Sequence, residues 1–140
     1  MAPANQDGAN HKFLTDGKFS AITPRLSPDF TKVLYTSYAK RIPQVYLKDL
    51  ASNKDILLGN FKGISFAPRF SPDGKSILFS IAKNGSTNIY EMDLISKKTR
   101  QITTGSGIST SPTYSPDGSK IVFNSNRGGS RQIYVMNRDG

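Results

Sequence analysis

The sequence predicts an all-β chain of repeated four-stranded antiparallel units, and three observations carry that prediction. A Ser-Pro-Asp turn recurs at Ser27-Pro28-Asp29, Ser71-Pro72-Asp73 and Ser115-Pro116-Asp117, in two steps of 44 residues. An apolar run follows each turn in the same register: Val33-Leu34-Tyr35, Ile77-Leu78-Phe79 and Ile121-Val122-Phe123. The pairs Val45-Tyr46, Ile89-Tyr90 and Ile133-Tyr134, and the prolines Pro24, Pro68 and Pro112, keep the same step. A period of about 40–45 residues with four strands matches one β-propeller blade; leucine-rich repeats are shorter, and armadillo-type repeats of this length are helical.

Each unit divides into four strands. The first falls at 21–26, 65–70 and 109–114, and the second at 32–38, 76–82 and 120–126. The third falls at 44–49, 88–93 and 132–137, and the fourth at 12–15, 56–59 and 100–103. These runs are rich in Val, Ile, Tyr, Phe and Thr, and Gly, Pro, Asn or Asp bounds most of them. No segment keeps a 3.6-residue period with helix caps. The second strands are apolar on successive residues, which predicts cover on both faces, as in blades stacked against neighbours.

Between first and second strands, Pro presets φ, Asp accepts from nearby backbone N–H groups, and Gly takes φ > 0. The first unit departs from this pattern, because Phe30 stands where the others have Gly74 and Gly118. Its turn is expected to be strained or built differently.

Composition narrows the function. The chain has 140 residues, 36% hydrophobic and 21% charged, as expected of a folded soluble domain. It has no Cys, which excludes disulfides and thiolate chemistry, and its single His11 argues against zinc sites and a Ser-His-Asp triad. No apolar run reaches the roughly 18–20 residues that span a bilayer, so no membrane insertion is expected. The Asp residues come one per turn without a ligand cluster, Ser71 lacks a G-x-S-x-G surround, and no helix follows Gly128-Gly129. No enzyme activity, metal or cofactor is therefore expected. The net charge of +9 suits an acidic partner. Lys48, Lys54, Lys97, Lys98 and Arg100 interleave with Asp29, Asp49, Asp55, Asp73, Asp93 and Asp117, which reads as a mixed solvated face rather than a nucleic-acid surface. Tyr46, Tyr90 and Tyr134 recur with the repeat and read as packing residues.

Candidate partner-binding residues lie on the first strands and the loops entering them, 17–23, 61–67 and 105–111. Loops 39–43, 83–87 and 126–131 are expected on the same face. Arg25 and Arg69 hold equivalent positions, with Thr113 in the third unit, and near the propeller axis they would clamp a carboxylate or an acidic loop. The competing reading pairs them with acids or leaves them lining solvent. Phe66 is an unexplained large apolar residue, either a contact anchor or packing between blades. Ser65, Ser109 and Thr110 complete the candidate set.

The ends of the chain match. Asn5-Gln6-Asp7-Gly8 resembles Asn137-Arg138-Asp139-Gly140 at a distance of 132 residues, three repeat lengths. Residues 1–4 read as a leader outside the repeat. Residues 5–16 then hold an orphan fourth strand, 17–60 blade 1, 61–104 blade 2, and 105–140 blade 3 without its fourth strand. Three open blades expose two apolar faces and two sheet edges. A head-to-tail homodimer closing a six-bladed ring is therefore expected, against an open fragment that associates irregularly.

Ala67-Pro68-Arg69-Phe70-Ser71-Pro72-Asp73-Gly74, followed by Asn88-Ile89-Tyr90-Glu91-Met92-Asp93-Leu94, resembles the propeller repeats of the TolB family of the Tol-Pal system. So does Gly63-Ile64-Ser65-Phe66-Ala67-Pro68-Arg69-Phe70 taken with Ile81-Ala82-Lys83-Asn84-Gly85-Ser86-Thr87. The resemblance covers residues 5–140, although Ser-Pro-Asp-Gly by itself also occurs in propellers of prolyl-oligopeptidase-type peptidases. The resemblance implies a periplasmic protein with an N-terminal α/β domain and a six-bladed C-terminal propeller, of which this chain would be a three-blade fragment. It further implies a non-enzymatic role in envelope integrity, cell division and protein transport. The implied partner is the peptidoglycan-associated lipoprotein Pal, on a surface that some bacteriocins share. Two other readings stay open: the gating propeller of a serine peptidase, and a purely structural half propeller that only self-assembles.

Overall fold

Runs of β-branched and aromatic residues cut by Gly, Pro and Asp become eleven strands among the described residues, 8–140 of a computed structural model. Residues 1–7 lie outside this description, and with them the leader and the start of the orphan-strand segment. Blade 1 is β1 (Ala21–Leu26), β2 (Lys32–Ser37), β3 (Gln44–Asp49) and β4 (Asp55–Leu57). Blade 2 is β5 (Ile64–Phe70), β6 (Ser76–Lys83), β7 (Ser86–Asp93) and β8 (Thr99–Gln101). Blade 3 has β9 (Ser109–Tyr114), β10 (Lys120–Ser125) and β11 (Gln132–Asn137). Every blade is an antiparallel meander in chain order, and no described residue is helical.

The fourth strands are shorter and earlier than expected. Leu58 and Ile102 leave the ladder but still donate backbone bonds across to Val45 and Ile89, at 3.0 and 2.7 Å. Residues 12–15 form no strand within this single chain. Elsewhere a fourth strand pairs with the third strand of its own blade, and the unpaired third-strand edge, β11, lies at the opposite end of the chain. The 83–87 loop shrinks to a two-residue turn, because Asn84 and Gly85 both take positive φ, +52° and +78°, as a tight hairpin requires.

Each first strand is broken by a bulge at Thr23-Pro24, Ala67-Pro68 or Ser111-Pro112, where the pairing register shifts. Proline has no N–H to give the ladder, so the strand must bend there. The preceding residue turns to φ +55°, +54° and +54° in the three blades. The recurring prolines of the sequence thus coincide with the bulges, each preceded by a residue of positive φ.

The second strands are covered on both faces, as their apolar runs predict. Ile77, Phe79 and Ile81 of β6 pack back on Leu34, Val45, Leu47 and Leu58 of blade 1. Leu78 of the same strand packs forward with Ile89 on Ile121 and Phe123 of blade 3. Each such fully buried side chain contributes about 1.5–3 kcal/mol. The repeating tyrosines are packing residues: Tyr35–Tyr46, Phe79–Tyr90 and Phe123–Tyr134 stack across β2–β3 and its equivalents at 5.8, 6.2 and 5.8 Å.

Candidate functional site

The first strands end at the Ser-Pro-Asp turns, whose chemistry is internal. Ser27, Ser71 and Ser115 each donate to the Asp two residues on at 2.6 Å. The same hydroxyls accept the N–H of Lys32, Ser76 and Lys120 at 2.9, 3.0 and 2.9 Å. Hydrogen bonds from the serine hydroxyls, then from the residues after the turn, hold the Asp29 and Asp117 carboxyls down at about 2, and Asp73 is lowered for the same reasons. These carboxylates serve their own turns.

Arg25, Arg69 and Thr113 come together beside those turns. With Leu26, Phe70, Tyr114 and the turn prolines they line a cleft of about 330 Å³. They sit past the register shifts at Pro24 and Pro68, toward the Ser-Pro-Asp end of the first strands and away from the entering loops. The reading that pairs them with acids does not hold among the described residues, since no ion pair includes either arginine. Arg25 donates from Nη1 to the Pro24 carbonyl at 2.8 Å, and its Nε is buried without a partner. Burial, and next the charge of Arg25, lowers the Arg69 pKa.

Of the other expected site residues, Ser65 and Thr110 bond across a joint between blades, and Ser109 bonds within its own blade. Ser65 is fully buried, donating to Gln44 Oε1 and accepting the Val45 N–H, both at 3.0 Å. Ser109 is buried against the Ser125 hydroxyl at 3.0 Å. Thr110 accepts from Ser80 at 3.4 Å, and Phe66 stands directly opposite Ser80, on the face of blade 2 turned to blade 3. Buried hydroxyls already paired in the protein are closed to a partner: Ser65 ties blade 2 to blade 1, and Ser109 is held within blade 3. Phe66 is half-buried on an inter-blade face, in keeping with the packing alternative.

Two charged clusters were missed. Glu91 receives Arg100 at 2.7 Å, Arg138 at 2.8 Å and the Tyr114 hydroxyl at 2.7 Å. Burial opposes its charge, yet these three bonds hold its carboxyl below the usual range, while burial and Glu91 push the Tyr114 hydroxyl up. Lys48, expected on the solvated basic face, is instead only 3% exposed and pairs with Asp55 at 3.0 Å. Asp55 also accepts the Tyr35 hydroxyl at 2.8 Å. The signal was present in the repeat: Glu91 stands where the other blades have Leu47 and Val135, and Lys48 where they have Met92 and Met136. Among the described residues no group of His, Asp or Glu could hold a metal ion.

The family model described as the TolB beta propeller domain matches residues 1–140. The chain belongs to that family. Its relatives include the Tol-Pal system protein TolB of Gluconobacter oxydans, 51% identical over 67 residues, which is 48% of this chain and 15% of that protein. A crystal structure of TolB from Acinetobacter baumannii superposes with a TM-score of 0.87 at 40% identity, covering 96% of this chain and 34% of that one. This chain thus spans about a third of that TolB chain. The tricorn protease shares the fold alone: TM-score 0.75 at 14% identity, over 94% of this chain and 15% of the protease. The chain is a TolB-type propeller piece.

Proposed function

We propose that this chain is a protein-binding β-propeller segment of a periplasmic TolB-type protein, and that its partner is a Pal-like peptidoglycan-associated lipoprotein. The observation that carries this reading is 40% identity at TM-score 0.87 over nearly the whole chain to a TolB, together with curated relatives named as Tol-Pal system proteins. The proposed role is that of a part of an envelope-integrity system that also serves cell division and protein transport; the Tol-Pal names of the relatives support it. The partner surface is the end carrying loops 17–23, 61–67 and 105–111, which rigid strands hold in place. Phe66 and Thr110 lie within those segments, where they enter β5 and β9. Calorimetric titration of a purified Pal-like domain into the chain tests this: saturable binding at micromolar concentrations supports it, and absence of heat at tens of micromolar removes it.

The same reading includes head-to-tail pairing of two chains into six blades. Ile133 and Val135 on β11 are 70% and 66% exposed, while their equivalents in blade 1, Val45 and Leu47, are buried against blade 2. At the other end Phe13 and Phe19 are exposed beside Tyr35 and Tyr46, on the face equivalent to the one Phe79 and Tyr90 present to blade 1. The two faces are the two halves of one inter-blade joint.

A further inference from the structure

We propose that Arg25 and Arg69 form a binding site for a small multivalent oxyanion, at the Ser-Pro turn end of the first strands. An arginine drawn partly out of water normally gains a carboxylate in exchange, because an unpaired charge in a partly dry setting is costly. Here two guanidinium groups share one cleft, and among the described residues neither has an acidic partner.

The nearby carboxylates are committed elsewhere. Asp29, Asp73 and Asp117 are each held by the serine of their own turn at 2.6 Å. Glu91, reached through the Tyr114 hydroxyl on the cleft wall, is engaged by Arg100 and Arg138. Two like charges therefore share the cleft, and the buried Nε–H of Arg25 lacks an acceptor. An anion with two or more oxygens in reach would relieve the mutual repulsion and accept from both forks, the arrangement that planar guanidinium groups suit best. The cleft, at about 330 Å³, has the size of a small-ligand site. Thr113 occupies the third equivalent position with a neutral hydroxyl.

The test is titration of the full chain with inorganic pyrophosphate and, separately, citrate, at ionic strength fixed with sodium chloride, followed by calorimetry. The expected result is one saturable site per chain for at least one of them, weakened tenfold or more in Arg69→Gln and in Arg25→Gln and unchanged in Lys54→Gln. The stronger of the two probes identifies a phosphate-type or a carboxylate-type ligand. Thr113→Glu guards against a folding artefact, since it places a carboxylate in the cleft from an exposed position. That variant is expected to melt at a higher temperature without added anion and to lose anion binding. Absence of saturable binding to both probes, or binding that survives both Arg69→Gln and Thr113→Glu, overturns the proposal.

Discussion

Phe30 holds the left-handed backbone position that Gly74 holds one blade later, at φ +61° against +72°. Both N–H groups donate 2.9 Å bonds, to Ser27 and Ser71 respectively, so the turn is the same and only the residue differs. Phe30 is 72% exposed, and little packing offsets its strain. A side chain in this region costs about 1–2 kcal/mol, part of which glycine returns as unfolded-state entropy. Phe30→Gly is expected to stabilise the chain by about 0.5–1 kcal/mol, and Gly74→Ala to destabilise it by a similar amount, read as shifts in the urea midpoint.

The titrating groups set the pH range of stability. Asp29, Asp73, Asp117 and Glu91 have lowered pKa values in the fold. Their contribution is present above the unfolded carboxylate range and is lost as pH falls through the folded values, about 2 for Asp29 and Asp117. Tyr35 and Tyr114 are raised above the ordinary 10.0, by burial first and by their carboxylate partners next. Their contribution is present below pH 10.0 and declines as the unfolded tyrosines ionise above it. Melting temperature against pH is expected to be flat between these limits, to fall below about pH 4 and to fall again above about pH 10.

Glu91 ties blade 2 to blade 3 through Tyr114 and Arg138. Glu91→Gln keeps an acceptor but removes the charge, with both arginines partly exposed to screening water. It is expected to cost roughly 1–2 kcal/mol in urea denaturation, a difference that narrows as salt is added.

The exposed face of β11 gives a mutational test of pairing. Light scattering coupled to size exclusion is expected to give twice the chain mass, and Val135→Lys is expected to return it to a single chain. A wild-type mass equal to one chain contradicts the pairing.

The fold was legible because the repeat presents each blade in three copies, so apolar runs, turn residues and tyrosine pairs could be read in register. What escaped lay where one copy departs from the others or where backbone geometry outweighs residue type. Lys48 in a methionine position and Glu91 in an aliphatic one looked like surface charges, since Lys48 is paired only once the short fourth strand folds Asp55 back beside it, and the Tyr114 and Arg138 partners of Glu91 come from the next blade. The positive φ of Thr23, Ala67 and Ser111 depends on how strand and proline accommodate each other, which residue preference does not encode. Residues 12–15 carry strand-forming residues but have no neighbouring edge in their own chain.

Sedimentation velocity of the chain mixed with a purified Pal-like domain tests the proposed binding of a lipoprotein partner. A boundary is expected that sediments faster than either protein alone and grows with Pal concentration in the micromolar range. Two independent boundaries at tens of micromolar of each protein would contradict it.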